Sequence, residues 1–345
     1  MPSMDIFNDD AFSLFNMTQA VEKMPNVPTF LGQLGIFGEG EGVTTNVIGI
    51  EQKGTTLALI PTSPRGTEPP MGTTDKRTLR NFNIPRIAKS DQVYAAEVQG
   101  LRAFGSESEL ESVARVVAQK QQKLLTEVAL TLEYHRLGAI QGKLMDSDGS
   151  TTLYNYFTEF GVSEPTEIDF DLDAASPTEG VLLTKIKAAK RAAIRALGQA
   201  YVPGVTQFIW LCGDTFYDQF VAHNDVRVTY KNWEAAASLR GAAGDAFGTF
   251  RFGEMDWINY QGTDDNSTVA IGATKARLVV KGVPGLYRRV NGPGETMETV
   301  NTVGRSLYSM LVRDLQRNMW VQPEVYLYPL HVCTRPEVLL SGRNT

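Results

Sequence analysis

A disulfide framework, a signal peptide, a membrane-length apolar run and any familiar catalytic motif are all missing from this chain. Its two cysteines, Cys212 and Cys333, are too few to staple a fold. Cys212 ends the apolar run Phe208-Ile209-Trp210-Leu211-Cys212, where a buried small hydrophobe is expected rather than a reactive thiol. That usage points to a reducing compartment. No apolar run approaches the ~20 residues that cross a bilayer. Met1 to Phe15 carries Asp5, Asp9 and Asp10 but no Lys or Arg, whereas a secretory leader starts basic and turns apolar. Basic charge is also scarce. The formal charge of -6 argues against a dedicated duplex binder, whose affinity comes from neutralising phosphates. With 42% hydrophobic and 21% charged residues the composition is that of a globular protein, long enough at 345 residues for roughly two domains.

Chemistry-bearing patterns are equally sparse. There is no Gly-Lys-Ser/Thr phosphate loop. Gly38-Glu39-Gly40-Glu41-Gly42 is glycine-rich, but its carboxylates would repel a phosphate, so it reads as a hinge. His135, His223 and His331 lie far apart, with no pair at metal-ligand spacing, and His135 is expected to be solvated or hydrogen-bonded. No Gly-x-Ser-x-Gly elbow occurs. Glu164, Glu167, Asp169, Asp171 and Asp173 alternate along an acidic stretch. A calcium site there lacks the EF-hand glycine and terminal glutamate, and a solvated loop is the simpler reading. Lys185 to Arg191 and Arg288-Arg289 read as solvated basic faces. No catalytic, cofactor-binding or metal-ligating residue is assigned.

What the chain does have is extended pieces. The first ~30 residues mix Asp and Asn with Ile6, Phe7, Phe12, Leu14 and Phe15, then break at Pro25 and Pro28. Such an arm has no core of its own. Val43 to Ile50 is rich in β-branched residues, Gln52-Lys53-Gly54 turns, and Thr55 to Ile60 returns as a strand. Residues 61–72 then hold four prolines and two glycines, and a third strand-like run goes from Arg77 through Phe82 to Ile87. The whole is a long polar hairpin excursion that calls for a partner surface.

Residues 107–137 carry Leu110, Val113, Val117, Leu124, Val128 and Leu132 near helical spacing, with Ser106 or Ser108 as cap and Gly138 and Gly142 as stops. A helix of about 30 residues spans roughly 45 Å and acts as a beam. Beyond it come a short strand at 153–157, an acidic loop at 164–177 and a helix from Thr178 to Leu197. A buried strand at 208–211, a helix at Asp214 to Ala222 and short strands at 250–252, 256–260, 277–280, 306–313 and 324–328 follow. The class is α+β with an inserted domain. An arm, a hairpin and a beam, each too extended to be stable within one subunit, point to an obligate assembly.

Ordered segments of the chain resemble the lambda-type (E family) major capsid proteins of tailed bacteriophages. They are Asp10-Ala11-Phe12-Ser13-Leu14, Leu34-Gly35-Ile36-Phe37, Gly49-Ile50-Glu51 and Leu59-Ile60-Pro61-Thr62-Ser63-Pro64-Arg65-Gly66. Gln99 to Gly105 leads into the long helix, Arg136 to Gly142 closes it, and Thr334-Arg335-Pro336-Glu337 comes near the end.

The resemblance implies the tailed-phage and herpesvirus capsid fold. Its parts map to an N-terminal arm at 1–42, an extended loop at 43–90, a peripheral domain with a spine helix at 91–150, an axial domain at 151–285, and closing peripheral strands with the C-terminus at 286–345. It further implies hexamers and pentamers of itself around double-stranded DNA held only non-specifically, a portal protein, a separate scaffolding protein and a decoration protein. No cofactor, enzyme activity or membrane is implied; the place is the virion, with assembly in the host cytoplasm. Arg65, Arg77 and Arg80 on the loop are expected to pair with acidic residues of the neighbouring subunit, and the spine helix to bend or rotate as the shell expands. Two other readings stay open: an encapsulin-like compartment, and a metal-dependent hydrolase using the 164–173 stretch.

Overall fold

The computed structural model describes residues 29–53, 77–98, 109–174, 176–231, 249–263, 268–317 and 319–345. The caps Ser106 and Ser108, the strand expected at 55–60 and Arg65 lie outside these.

A short helix, α1 (Phe30–Leu34), precedes strand β1 (Glu41–Gly42). Strand β2 (Val47–Lys53) pairs antiparallel with β3 (Arg77–Asn83), so the return strand seen in the structure is the third sequence run. Ile48 and Ile50 are buried while Val47 is exposed, the period-two alternation of a half-buried strand. Strands β4 (Ile87–Ser90) and β5 (Val93–Tyr94) and helix α2 (Ala95–Val98) follow.

The beam is α3 (Glu109–Gln141), 33 residues and about 50 Å long. It runs through Gly138, where a Cβ would stand 2.8 Å from the Lys143 carbonyl oxygen, and stops at Gly142, whose φ is +82°. Gly138 is thus a packing position rather than a terminus. The middle of α3 puts Leu124 and Val128 against Val325 and Leu327 in a small separate core. Its last turns, with Leu137, Ala139 and Ile140, enter the main core. One helix therefore joins two cores.

Strand β6 (Lys143–Met145) pairs with β7 (Thr152–Asn155). The strand expected to reach 157 ends here, because the Asn155 side chain accepts the Phe157 N–H at 3.1 Å and opens helix α4 (Tyr156–Phe160). After β8 (Ile168–Asp169), helix α5 (Val181–Leu197) buries Leu182, Ile186, Ala189, Ala193 and Leu197 at helical spacing. Strand β9 (Gln207–Cys212), helix α6 (Asp214–Ala222) and helix α7 (Asn224–Lys231) follow, then β10 (Thr249–Phe252), β11 (Met255–Asn259) and β12 (Lys275–Lys281). The chain closes with β13 (Tyr287–Asn291), β14 (Tyr308–Arg313), β15 (Trp320–Leu327), β16 (Pro329–Cys333) and β17 (Ser341–Arg343).

The main sheet has the order β10-β11-β9-β12-β17-β8. Its centre, Phe208 to Cys212, is buried on both faces, and Trp210 stacks on Trp257 with ring centroids 5.4 Å apart. Segment 286–345, expected to stay with the long helix, divides in the structure. Strands β13 and β16 form a three-stranded sheet with β1, and β14 and β15 a four-stranded one with β4 and β5, but β17 carries the C-terminus between β12 and β8.

Candidate assembly elements

The arm begins from an anchored point. Glu133, fully buried on α3, accepts the Leu31 N–H at 2.6 Å and the Gly32 N–H at 3.2 Å. Arg136 donates to the same carboxylate at 3.1 Å, and the Tyr260 hydroxyl donates to it at 3.5 Å. Burial raises the pKa of Glu133, while the donated N–H groups and Arg136 pull it down. One carboxylate thus ties α1, α3 and the segment after β11 together. Its one local signal in the sequence is an Arg three residues on, too common a pattern on a helix to single it out.

The hairpin is held at its base. Phe82, buried, meets the rings of Tyr154 at 5.4 Å and Phe160 at 5.8 Å. The Tyr154 hydroxyl accepts the Asn83 N–H at 2.8 Å and donates to the Asn83 carbonyl at 2.9 Å. Arg80 donates to the Phe160 carbonyl at 2.8 Å and lies 5.3 Å from that residue's ring centroid. Arg77 opens β3 in register with Lys53, and Arg65 lies outside the described residues.

The acidic stretch pairs carboxylate by carboxylate with different elements. Glu164 meets Lys143 at 2.9 Å, Glu167 meets Lys275 at 2.7 Å, Asp169 meets Arg343 at 3.0 Å, and Asp171 meets Lys185. Four of the five carboxylates thus have a base of their own. The stretch is loop at 162–167 and exposed at Glu164, Asp171 and Asp173, as expected, so it is a solvated segment laced by surface ion pairs. Among the described residues no group of three or more His, Cys, Asp or Glu could hold a metal ion.

His135 is neither solvated nor satisfied as expected: it is buried, and its Nδ1 finds no partner among the described residues. His331 is fully buried, neither ring nitrogen has a partner among the described residues, and the ring of Phe37 meets it edge-on at 5.1 Å. The cause is the wrapping of the end of α3 by β16. Cys212 and Cys333 are buried, and burial raises both thiol pKa values, that of Cys333 to about 12.

A beam joining two cores, a hairpin anchored through Phe82, Asn83 and Arg80, and a carboxylate that ties down α1 are parts suited to contacting other chains. The sequence matches the model of the family described as Phage major capsid protein E over residues 13–344. The chain belongs to that family. The major capsid protein of Pseudomonas phage KPP10 is 28% identical over 96% of this chain and 97% of the relative. That of Salmonella phage Felix O1 is 24% identical over 96% of each. Two solved structures share the fold at 12% identity. The putative capsid protein of an E. coli CFT073 prophage superposes with a TM-score of 0.54, over 93% of this chain and 94% of that one. The capsid of the myovirus XM1 does so with 0.53, over 94% and 93%. This capsid protein is therefore a structural subunit of the phage virion that assembles with itself into a shell, and α3 is its spine helix.

Proposed function

We propose that the capsid protein builds hexamers and pentamers of an icosahedral head around double-stranded DNA, with residues 43–90 of each subunit lying over its neighbour. The observation that carries this is the hairpin. Its two ends are tied into the subunit, Val43 to Asn291 and Ile87–Ser90 to β15, while between them, among the described residues, Leu79 on β3 leaves 65% of its surface uncovered. Arg65 and Arg77 pair with acidic residues of the neighbour, and Arg80 sets the hairpin's angle through Phe160. The role is mechanical and not catalytic. Assembly takes place in the host cytoplasm with a scaffolding protein and a portal, and a decoration protein joins the finished head. The net negative charge keeps contact with packaged DNA weak and non-specific. The spine helix, linked to both cores, reshapes as the shell expands.

The test is deletion of residues 62–74, with the protein expressed beside its neighbouring genes and examined by negative-stain electron microscopy and velocity sedimentation. A folded subunit that no longer closes shells is expected. Normal shells from the deletion overturn the hairpin role. A small uniform oligomer from the unmodified chain overturns the shell itself.

A further inference from the structure

The four-stranded sheet of β14, β15, β4 and β5 ends in two turns of opposite character. At one end, residues 294–304 form a turn fixed by its own bonds. The Thr299 and Val300 N–H groups reach the Thr296 carbonyl at 2.9 and 3.0 Å, Thr302 reaches Thr299, and Arg86 clamps Glu295 with two bonds at 2.8 and 2.6 Å. This turn holds out Met297, 95% exposed, with Val300, Val303 and the carboxylate of Glu298. At the other end, the Asp314 carboxylate accepts the N–H groups of Gln316 and Arg317 at 3.1 Å and of Met319 at 3.3 Å. That turn holds out Leu315, also 95% exposed, with Met319 and the guanidiniums of Arg313 and Arg317.

Single exposed apolar residues are ordinary, but apolar clusters on ordered turns mark contact sites. Neither turn can cover the other in one chain. The six residues of β14 separate them by about 20 Å. Their outward charges are complementary: Glu298 stands free of the Arg86–Glu295 pair at one end, and at the other Arg313 and Arg317 outnumber Asp314, whose carboxylate is taken up by backbone N–H groups.

We propose that these turns are the two halves of one heterologous interface, the Leu315 turn of one subunit seating on the Met297 turn of the next. Two different patches on the same chain, used head to tail, close a ring when the rotation closes. Apolar side chains sit at the centre and the Arg317 and Glu298 charges at the rim, where they set orientation and register. The occupant of each turn is a second copy of this chain. The inference rests on the shell reading and adds a contact that does not use the 43–90 hairpin.

The test is a Met297→Cys, Leu315→Cys double variant, oxidised mildly in closed shells and run on a non-reducing gel. The in-chain separation far exceeds the ~7 Å Cα limit for a disulfide, so every link must join two chains. The native thiols are buried. A ladder reaching trimers and beyond is expected, with each single variant staying monomeric. Unlinked chains in closed shells overturn the proposal, as does a covalent dimer from either single variant. So do thiols that stay unlinked yet resist maleimide, which would put another occupant, such as residues 1–28 of the same chain, on the turns. Separately, Arg317→Glu should cut shell yield at least tenfold with unchanged circular dichroism, and Glu298→Arg in the same chain should restore it; an undiminished yield also overturns the proposal. Absence of shells from the unmodified chain overturns the shell reading and this inference with it.

Discussion

Glu133 on the spine helix accepts the backbone N–H of Leu31 at 2.6 Å, a bond across 102 residues of sequence. A fully buried carboxylate is retained only when its lone pairs are used, and Leu31, Gly32, Arg136 and Tyr260 use them. Glu133→Ala leaves two backbone N–H groups and a guanidinium without their acceptor. The expected cost is about 3–5 kcal/mol, read as a lower urea midpoint of the unassembled subunit. Glu133→Gln, which keeps an acceptor oxygen for one of the N–H groups, should lose less. Equal midpoints for Glu133→Ala and the unmodified chain would show that the carboxylate does not hold α1.

Much of the frame was legible because it is local. The 214–222 helix follows Gly213, and the spine helix announces itself by 3.6-residue spacing. What stayed hidden depends on partners far along the chain. Ser341-Gly342-Arg343 has no strand pattern; β12 and β8 make it a strand by flanking it. Arg80 reads as an outward charge until the Phe160 carbonyl, 80 residues away, arrives beside it. The alternating carboxylates did carry a period-two signal, but their bases come from α5, β6, β12 and β17, which no spacing reveals. The two exposed turns were invisible for a related reason: Met297 and Leu315 look like core residues in a sequence.

Trp257 predicts where the main sheet is most sensitive. It is fully buried, stacks on Trp210, and faces the Phe220 ring at 4.1 Å. Trp257→Ala removes four ring contacts, with Phe170, Trp210, Phe216 and Phe220, and leaves a cavity, at about 3–5 kcal/mol. Trp257→Phe should cost less than half as much. Thermal unfolding of the unassembled subunit separates the two.

Gly304 sits where three backbones cross. Its N–H donates to the Val43 carbonyl at 2.9 Å, and Val43 donates to the Asn291 carbonyl at 2.9 Å. A Cβ at 304 would stand 2.0 Å from the Asn291 oxygen and 2.4 Å from that of Gly292. Neither is a side chain that can rotate away. Gly304→Ala must therefore spread β13 from the 294–304 turn, at about 1–3 kcal/mol. Faster amide exchange at Val43 and Gly304 is the expected readout, and unchanged exchange there would mean that the crossing yields without strain.

The buried histidines give the subunit a defined acid sensitivity. Burial lowers the pKa of His135 from 6.5 to about 4, against the opposing charge of Asp146. Burial also holds that of His331 well below its usual value, helped by Arg136, His135 and Arg289. In the unfolded chain both protonate near pH 6.5, so between there and pH 4 the unfolded state binds more protons than the folded one. Stability is therefore complete above pH 6.5 and falls as pH drops through that window. His135 alone accounts for on the order of 3 kcal/mol by pH 4. Carboxylates held low by their partners, such as Asp169 beside Arg343, add their own losses at more acid pH. The histidine share is isolated by comparison. His135→Leu should lose markedly less stability than the unmodified subunit between pH 7 and pH 4.5 in urea titrations. Parallel losses across that range would show that His135 takes up its proton without leaving the fold.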